Sequence, residues 1–434
     1  MPIRPLLVLC ILLCLSSSSV AQTRVTTDDI THFWEAYDRI KATNDTAEQR
    51  QLLHSHFIAK ASVGQLAMFE ARRYTPDEYL HAIRSYPRFW ASVREHMLSA
   101  DIHVQAMQDG VERLRVLYPQ MRPADIYFTV GVLRSGGTIT DGMVLIGSEI
   151  ALADSSTVTD EFPAELGHLP GHFATNPRQD IAFANVHELI HTQQPGRWGY
   201  DLLSQSLHEG IAEFIPTLAM DRPSYAASVR YGVANTEKVR AVFEEELFAY
   251  WIDRWIWNDT HGPFPVRDMG YFVGYSMAQR YYENAKDKPQ AIAELIGLNC
   301  EDSSAVMDFA ERTGWLSRPI ADVRASFEAA RPRVTHIAEF SNGSTTVDPS
   351  TKTITLHFDG PMAKDFRSTE LGPLGKEAAV TIKDIRFAED GRSVVYHVEL
   401  APGKRYQLVL EEGYRDERLR QLVPYPVDFT TQDR

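Results

Sequence analysis

Asn176-Pro177-Arg178-Gln179-Asp180-Ile181-Ala182-Phe183-Ala184-Asn185-Val186-His187-Glu188-Leu189-Ile190-His191-Thr192-Gln193-Gln194-Pro195-Gly196 is the stretch on which the reading of this chain turns. Asn176 before Pro177 predicts an N-cap followed by proline at the first helical position, and Pro195-Gly196 is a stop. Between them, Ile181, Phe183, Ala184, Val186, Leu189 and Ile190 supply the apolar surface that would bury a helix. Residues four apart share a helix face, so His187 and His191 can present both imidazoles to one metal ion. Glu188 flanks the first of them, where its carboxylate can take a proton from a water that the ion activates.

An ion that works on a substrate needs a third protein ligand and an open position. Leu207-His208-Glu209-Gly210-Ile211-Ala212-Glu213-Phe214 lies in a second segment with helical spacing, built on Leu207, Ile211, Phe214, Ile215 and Leu218. The interval from His191 allows a turn and a returning helix. Glu209 is assigned as the third ligand. Glu213, one turn on, is assigned as the carboxylate that orients a ligand histidine through its other ring nitrogen. Two imidazoles, one carboxylate and an open site suit a single zinc ion. Solvated helix charges would be the ordinary reading of either glutamate alone, but that leaves the pairing with the histidines unexplained. His168 and His172 are also four apart, in a Gly- and Pro-containing stretch expected to be a loop lining the cleft. His208 points off the ligand face, and His261 is a loop histidine that could assist at the transition state.

Further along, Gly270-Tyr271-Phe272-Val273-Gly274-Tyr275 puts two phenols four apart, with glycines that let another backbone approach. A phenol beside the ion could donate a hydrogen bond to a developing oxyanion, and Tyr271 is the first candidate, Tyr275 the reserve. Together these three segments resemble the gluzincin metallopeptidases. Their signature is His-Glu-x-x-His followed by a glutamate ligand on a second helix. The spacing here is one residue shorter than in the aminopeptidase N family, whose Tyr-x-x-Gly pattern matches Tyr271 to Gly274. The chain is also similar to bacterial predicted zinc-dependent proteases, including gliding-motility lipoprotein B-like proteins, over about residues 120–330. The resemblance implies hydrolysis of peptide or protein substrates and transfers a chemistry better than a biological role.

Residues 126–132 and 143–147 are rich in β-branched and aromatic side chains, with turn formers at 135–138 and 141–142. In peptidases of this type an edge strand borders the cleft and pairs with extended substrate. The resemblance assigns 143–150 to that strand, with Gly147 and Glu149 as substrate-binding residues and Glu149 facing a free substrate amine. The aminopeptidase motif Gly-x-Met-Glu-Asn is absent, because Gly147-Ser148-Glu149 is one residue short, so an unspecified peptidase is expected.

Residues 1–21 read as a secretory signal: Arg4, an apolar core and a small-residue cleavage site at Ser19-Val20-Ala21. Cys10 and Cys14 lie inside it without a lipobox, so no lipid anchor is expected and Cys300 remains alone, without an intramolecular disulfide. No other segment is apolar enough to span a bilayer. A net charge of −14 over 434 residues argues against nucleic acid as a partner. The expected location is secreted or periplasmic.

The expected fold class is α+β: a mainly helical zincin-like metallopeptidase domain with a small β-sheet, then an all-β Ig-like sandwich. The divisions are 22–118, helical, with runs near 47–68, 76–100 and 103–118; 119–331, the zinc peptidase, closing on helices near 288–297, 304–312 and 319–330; and 332–434. In the last, alternating runs at 353–358, 394–400 and 406–410 are separated by turns at 359–361, 390–391 and 402–403. Phe358-Asp359-Gly360-Pro361-Met362, Leu400 to Tyr406 and Phe429 to Thr431 resemble bacterial Ig-like domains, which implies a bracing role or a cell-envelope partner. The rival reading is a non-catalytic envelope assembly or adhesion protein with a structural metal site.

Overall fold

The computed structural model describes residues 23–140, 142–196, 198–258 and 262–434. The expected signal segment, Asp141 and His261 lie outside the described residues. The protein is α+β, and it forms two compact units: residues up to Val111 with Gln120–Ile181, and Glu112–Pro119 with Ala182–Arg434. The sheet expected to belong with the metal site therefore groups instead with the N-terminal helices.

The first unit grows from Asp28–Lys41, whose buried face is Ile30, Phe33, Trp34, Tyr37 and Ile40. These rings meet Phe57 and Trp90 in edge-on and tilted contacts, which anchors the neighbouring helices. The run expected near 47–68 is two helices, Thr46–His56 and Val63–Arg72. Ser62 separates them: its hydroxyl caps Gln65 N–H at 3.1 Å and donates to Asp29. Pro87 divides the 76–100 run into Pro76–Ser85 and Pro87–Leu98, because it has no N–H to give and forces Tyr86 out of helical geometry.

Strands β1 (Val25–Thr26), β2 (Asp125–Thr129), β3 (Gly137–Thr140) and β4 (Met143–Gly147) form one sheet in the order β1-β2-β4-β3. This corrects two expectations. Gly137-Thr138 is strand rather than turn, pairing antiparallel with β4 around Gly142 at φ 72°. As a result β4 is an inner strand, with both its edges used by β2 and β3. It has no free edge on which an extended peptide could add.

Glu149 follows β4 in the short helix Ser148–Ala151 and is fully buried. Its carboxylate accepts the N–H groups of Gly131 and Leu133, each at 3.0 Å. Both oxygens are thus engaged by backbone, which replaces the amine-binding role expected of it. Gly147 is packed so tightly that a Cβ would fall on the Ser135 carbonyl. It serves the packing of this sheet.

In the second unit, the long helices Leu202–Met220 and Met269–Asn284 cross at Gly210 and Gly274. A Cβ at Gly274 would overlap the Ser206 carbonyl, and one at Gly210 would overlap the backbone of Gly274 and Tyr275. Only glycine lets these backbones touch. The later helices are Lys288–Ile296, Ser303–Thr313 and Ile320–Ala330. Asp302 caps the middle one, accepting from Ser304 and Ala305 N–H.

The same unit ends in two antiparallel sheets. Strands β5 (Val334–Ile337), β6 (Thr353–Phe358), β7 (Thr369–Glu370), β8 (Thr381–Phe387), β9 (Ser393–Glu399), β10 (Arg405–Leu410) and β11 (Tyr425–Thr430) order as β5-β6-β9-β8 and β11-β10-β7. Alternate residues of the two sheets share one apolar core, including Ile354, Leu356, Tyr396, Leu408 and Phe429. Arg331 ties this part to its own preceding helix and to the 421–422 segment, donating to Gln421 O at 3.0 Å and Leu422 O at 2.7 Å. Gln421 in turn donates to Phe248 O at 3.3 Å.

Candidate metal centre

Local chemistry sets the three helices that build the centre. The histidine helix runs Ile181–Gln193. Its start differs from expectation: Asn176 is left-handed, its side chain accepts Ser155 N–H at 3.0 Å, and Pro177–Asp180 is a 3-10 turn leading in. Gly196 at φ 73° ends the run. The glutamate helix, Leu202–Met220, is capped by Asp201, which accepts Ser204 N–H at 2.8 Å. The tyrosine helix, Met269–Asn284, is held against it at the glycine crossing. His168 is the N-cap of a short helix, Leu169–Phe173, that contains His172 and has Pro170 in its first turn; this corrects the loop expectation.

His187, His191 and Glu209 converge. The two Nε2 atoms are 3.1 Å apart, and Glu209 Oε2 lies 3.6 Å from His187 Nε2 and 3.3 Å from His191 Nε2. A tetrahedral zinc ion with bonds of about 2.0–2.2 Å needs ligand atoms about 3.3–3.5 Å apart. The triangle has that size.

Hydrogen bonding fixes which nitrogens face inward. Gln194 donates its Nε2 to His208 O at 2.9 Å, which turns its Oε1 toward His191 Nδ1 at 2.7 Å. An amide oxygen only accepts, so His191 carries its proton on Nδ1 and offers a lone pair at Nε2. Glu213 Oε2 accepts from His187 Nδ1 at 3.1 Å, giving that ring the same tautomer. Ser224 donates to the other oxygen of Glu213 and holds the carboxylate in place. Two lone pairs and a carboxylate thus point at one another, an arrangement that repels unless a cation sits between them. The residues fit zinc.

Without an ion, a proton is the substitute cation. Burial alone would push His187 down, but hydrogen bonds to Glu209 and Glu213 outweigh it and hold it up at about 10. Burial likewise disfavours charge on Glu209, yet His191 and His187 keep it well below the usual carboxylate range. His208 stacks flat on His191, with ring centres 4.7 Å apart, and burial together with the charge of His191 pushes it down to about 3. It is a neutral packing ring.

Glu188 is half-buried on the histidine helix, beside His187. Tyr271 stacks on the His187 ring at 6.1 Å and 16°, and its phenol faces Glu209. Burial first, then the Glu209 charge, raises Tyr271 well above the ordinary phenol value, so it stays a neutral donor. Tyr275, one turn on, instead meets Phe214 edge-on at 5.5 Å and lies beside Thr217. The structure therefore brings together His187, Glu188, His191, Glu209, Glu213 and Tyr271. It leaves Tyr275 beside the Glu213 end of the helix pair, and Gly147 and Glu149 in the packing of the first unit. Gln194 and Ser224 were missed. Gln194 had a legible signal in its position one turn after His191; Ser224 had none.

No protein-family model and no curated protein matches the chain. Among solved structures it is similar to the S-layer protein rSbsC at 14% identity, covering 94% of this chain and 46% of that one, with a TM-score of 0.19. The N-terminal part of the bacterial S-layer protein SbsC gives 13%, 94%, 77% and 0.18 in the same order. SbsC domains 1–6 give 16%, 77%, 45% and 0.19. The chain thus spans less than half of the first of these structures, and likeness at such TM-scores carries no argument about fold or function. No helix among the described residues is long and apolar enough to cross a membrane.

Proposed function

We propose that this protein is an exported, zinc-dependent peptidase of gluzincin type, with a C-terminal Ig-like module. The observation that carries the reading is the inward pair of imidazole lone pairs closed by Glu209, with each outer ring nitrogen tied to an acceptor. A structural zinc site usually fills all four positions with protein; three ligands leave one for reactants.

When bound, zinc supplies a Lewis acid that polarises a carbonyl and acidifies water. Glu188 would take a proton from the attacking water and return it to the departing amine. Tyr271 donates its hydroxyl hydrogen to the oxygen that gains negative charge, a contact stronger in the transition state than in the ground state. Glu213 and Gln194 keep both imidazoles in the tautomer that serves as ligand. The β4 position leaves substrate pairing to some other edge.

Glu188→Gln tests the reading. As a general base, its loss lowers peptide hydrolysis by about 100- to 10,000-fold while zinc remains bound. If the variant keeps full function, or the zinc-loaded wild type cleaves no member of a peptide library, the site is not a peptidase centre.

A further inference from the structure

Trp198 and Trp257 meet edge to face, with ring centres 5.3 Å apart, yet remain 56% and 47% exposed. Paired tryptophans are the rings that burial stabilises most, so leaving both open to solvent on a structured surface calls for a reason. Their position supplies one. The Trp257 indole lies beside the Tyr271 phenol, and that phenol faces Glu209 while its ring stacks on His187. The tryptophan pair therefore approaches the ion ligands through Tyr271.

The backbone is arranged to hold it there. Trp257 is left-handed at φ 54°, and so is Asp268 at φ 61°, conformations that bulky L-residues avoid. They lock each other: Asp268 Oδ1 accepts Trp257 N–H at 2.6 Å, and Asp268 N–H donates to Asn258 Oδ1 at 2.8 Å. Asp268 also begins the tyrosine helix, so ring and phenol are placed by one short segment.

We infer that Trp198 and Trp257 form the subsite that selects an aromatic or large aliphatic side chain next to the bond being cleaved. The identity of the occupant follows from what the rings have left to offer. The indole N–H of Trp257 is turned toward Tyr271, so outward the ring presents carbon faces and edges. That suits an apolar side chain better than a hydroxyl-rich sugar ring, which needs polar partners around the stacking face. Trp257 is in addition a positioning residue for Tyr271. The inference rests on the peptidase reading for the role of the subsite, but not for its existence.

Two arms keep these apart. In the first, the zinc-loaded protein, with its seven tryptophans labelled as 5-fluorotryptophan, is titrated with N-acetyl-phenylalaninamide, N-acetyl-alaninamide and N-acetylglucosamine oligomers, followed by fluorine NMR. Selective shifts of the Trp198 and Trp257 signals with the phenylalanine probe are expected. Equal response to the alanine probe, or response to the sugar alone, overturns the subsite whatever the catalysis. In the second arm, a peptide library is cleaved by wild type and by two variants. Trp198→Ala should reduce the preference for an aromatic over an alanine residue flanking the cut by about tenfold in kcat/KM. Trp257→Phe keeps a ring but loses the N–H, so it should lower kcat on all peptides alike with KM little changed. Unaltered preference in Trp198→Ala overturns the proposal. Selective probe binding with no cleavage of any peptide sinks the peptidase reading and leaves the subsite standing.

Discussion

Two buried glutamates, one in each unit, have opposite surroundings. Glu149 is fully buried and faces the N–H groups of Gly131 and Leu133, fixed donors that no ligand can displace. Burial dominates there, and its carboxyl is raised above the usual value. Glu209 is 5% exposed and faces two imidazole nitrogens, held instead well below that value. Backbone amides complete a carboxylate permanently; imidazole lone pairs complete it only with a proton or an ion between them. The partner, not the burial, separates a brace from a binding group.

Each expected outcome below breaks or sharpens that contrast. The largest concerns Tyr271, which touches the convertible carboxylate: Tyr271→Phe should lower kcat by about 100- to 1,000-fold without altering zinc content, read by steady-state kinetics and metal analysis. Next, Glu213→Gln loosens the tautomer of His187 and should weaken zinc about 10- to 100-fold in chelator competition. Glu149→Ala should leave zinc affinity unchanged. It strands two backbone N–H groups, so it should destabilise the first unit by about 1–3 kcal/mol in denaturant unfolding. If Glu149→Ala weakens zinc, or Glu213→Gln destabilises the first unit instead, the contrast fails.

The last test is the pH dependence of the metal-free protein. His187 has a folded value of about 10, above its ordinary 6.5, so its stabilisation is complete below about 6.5 and is lost as pH rises toward 10. Glu209 has a depressed value, so its stabilisation is present above about 4.5 and is lost as pH falls further. Glu149 runs the other way, since a raised carboxyl costs stability once pH exceeds its ordinary value. Thermal unfolding of the metal-free chain should therefore weaken between pH 6.5 and 10, and zinc should remove that slope.

Much of the site was legible because helix periodicity alone carries it. The four-residue spacings of His187 with His191, and of Glu209 with Glu213, are local, and Gly274 announced a close backbone approach. The alternating runs after residue 332 were equally local and became strands of two sheets. What failed was non-local or depended on a single backbone angle. Whether β4 is inner or edge depends on Gly137–Thr140 folding back upon it, which a glycine-threonine run does not disclose. Asn176 before Pro177 looks like a cap, but its left-handed angle sends the side chain to Ser155. Ser224 reaches Glu213 from a connecting segment that no spacing rule links to the helix.

Zinc-edge X-ray absorption on the loaded protein tests the central claim most directly. One zinc per chain, with two imidazoles at about 2.0–2.1 Å and an oxygen shell at about 2.0–2.2 Å, is the predicted result. A sulfur shell at about 2.3 Å, implicating Cys300, or a zinc shell without imidazole, would contradict it.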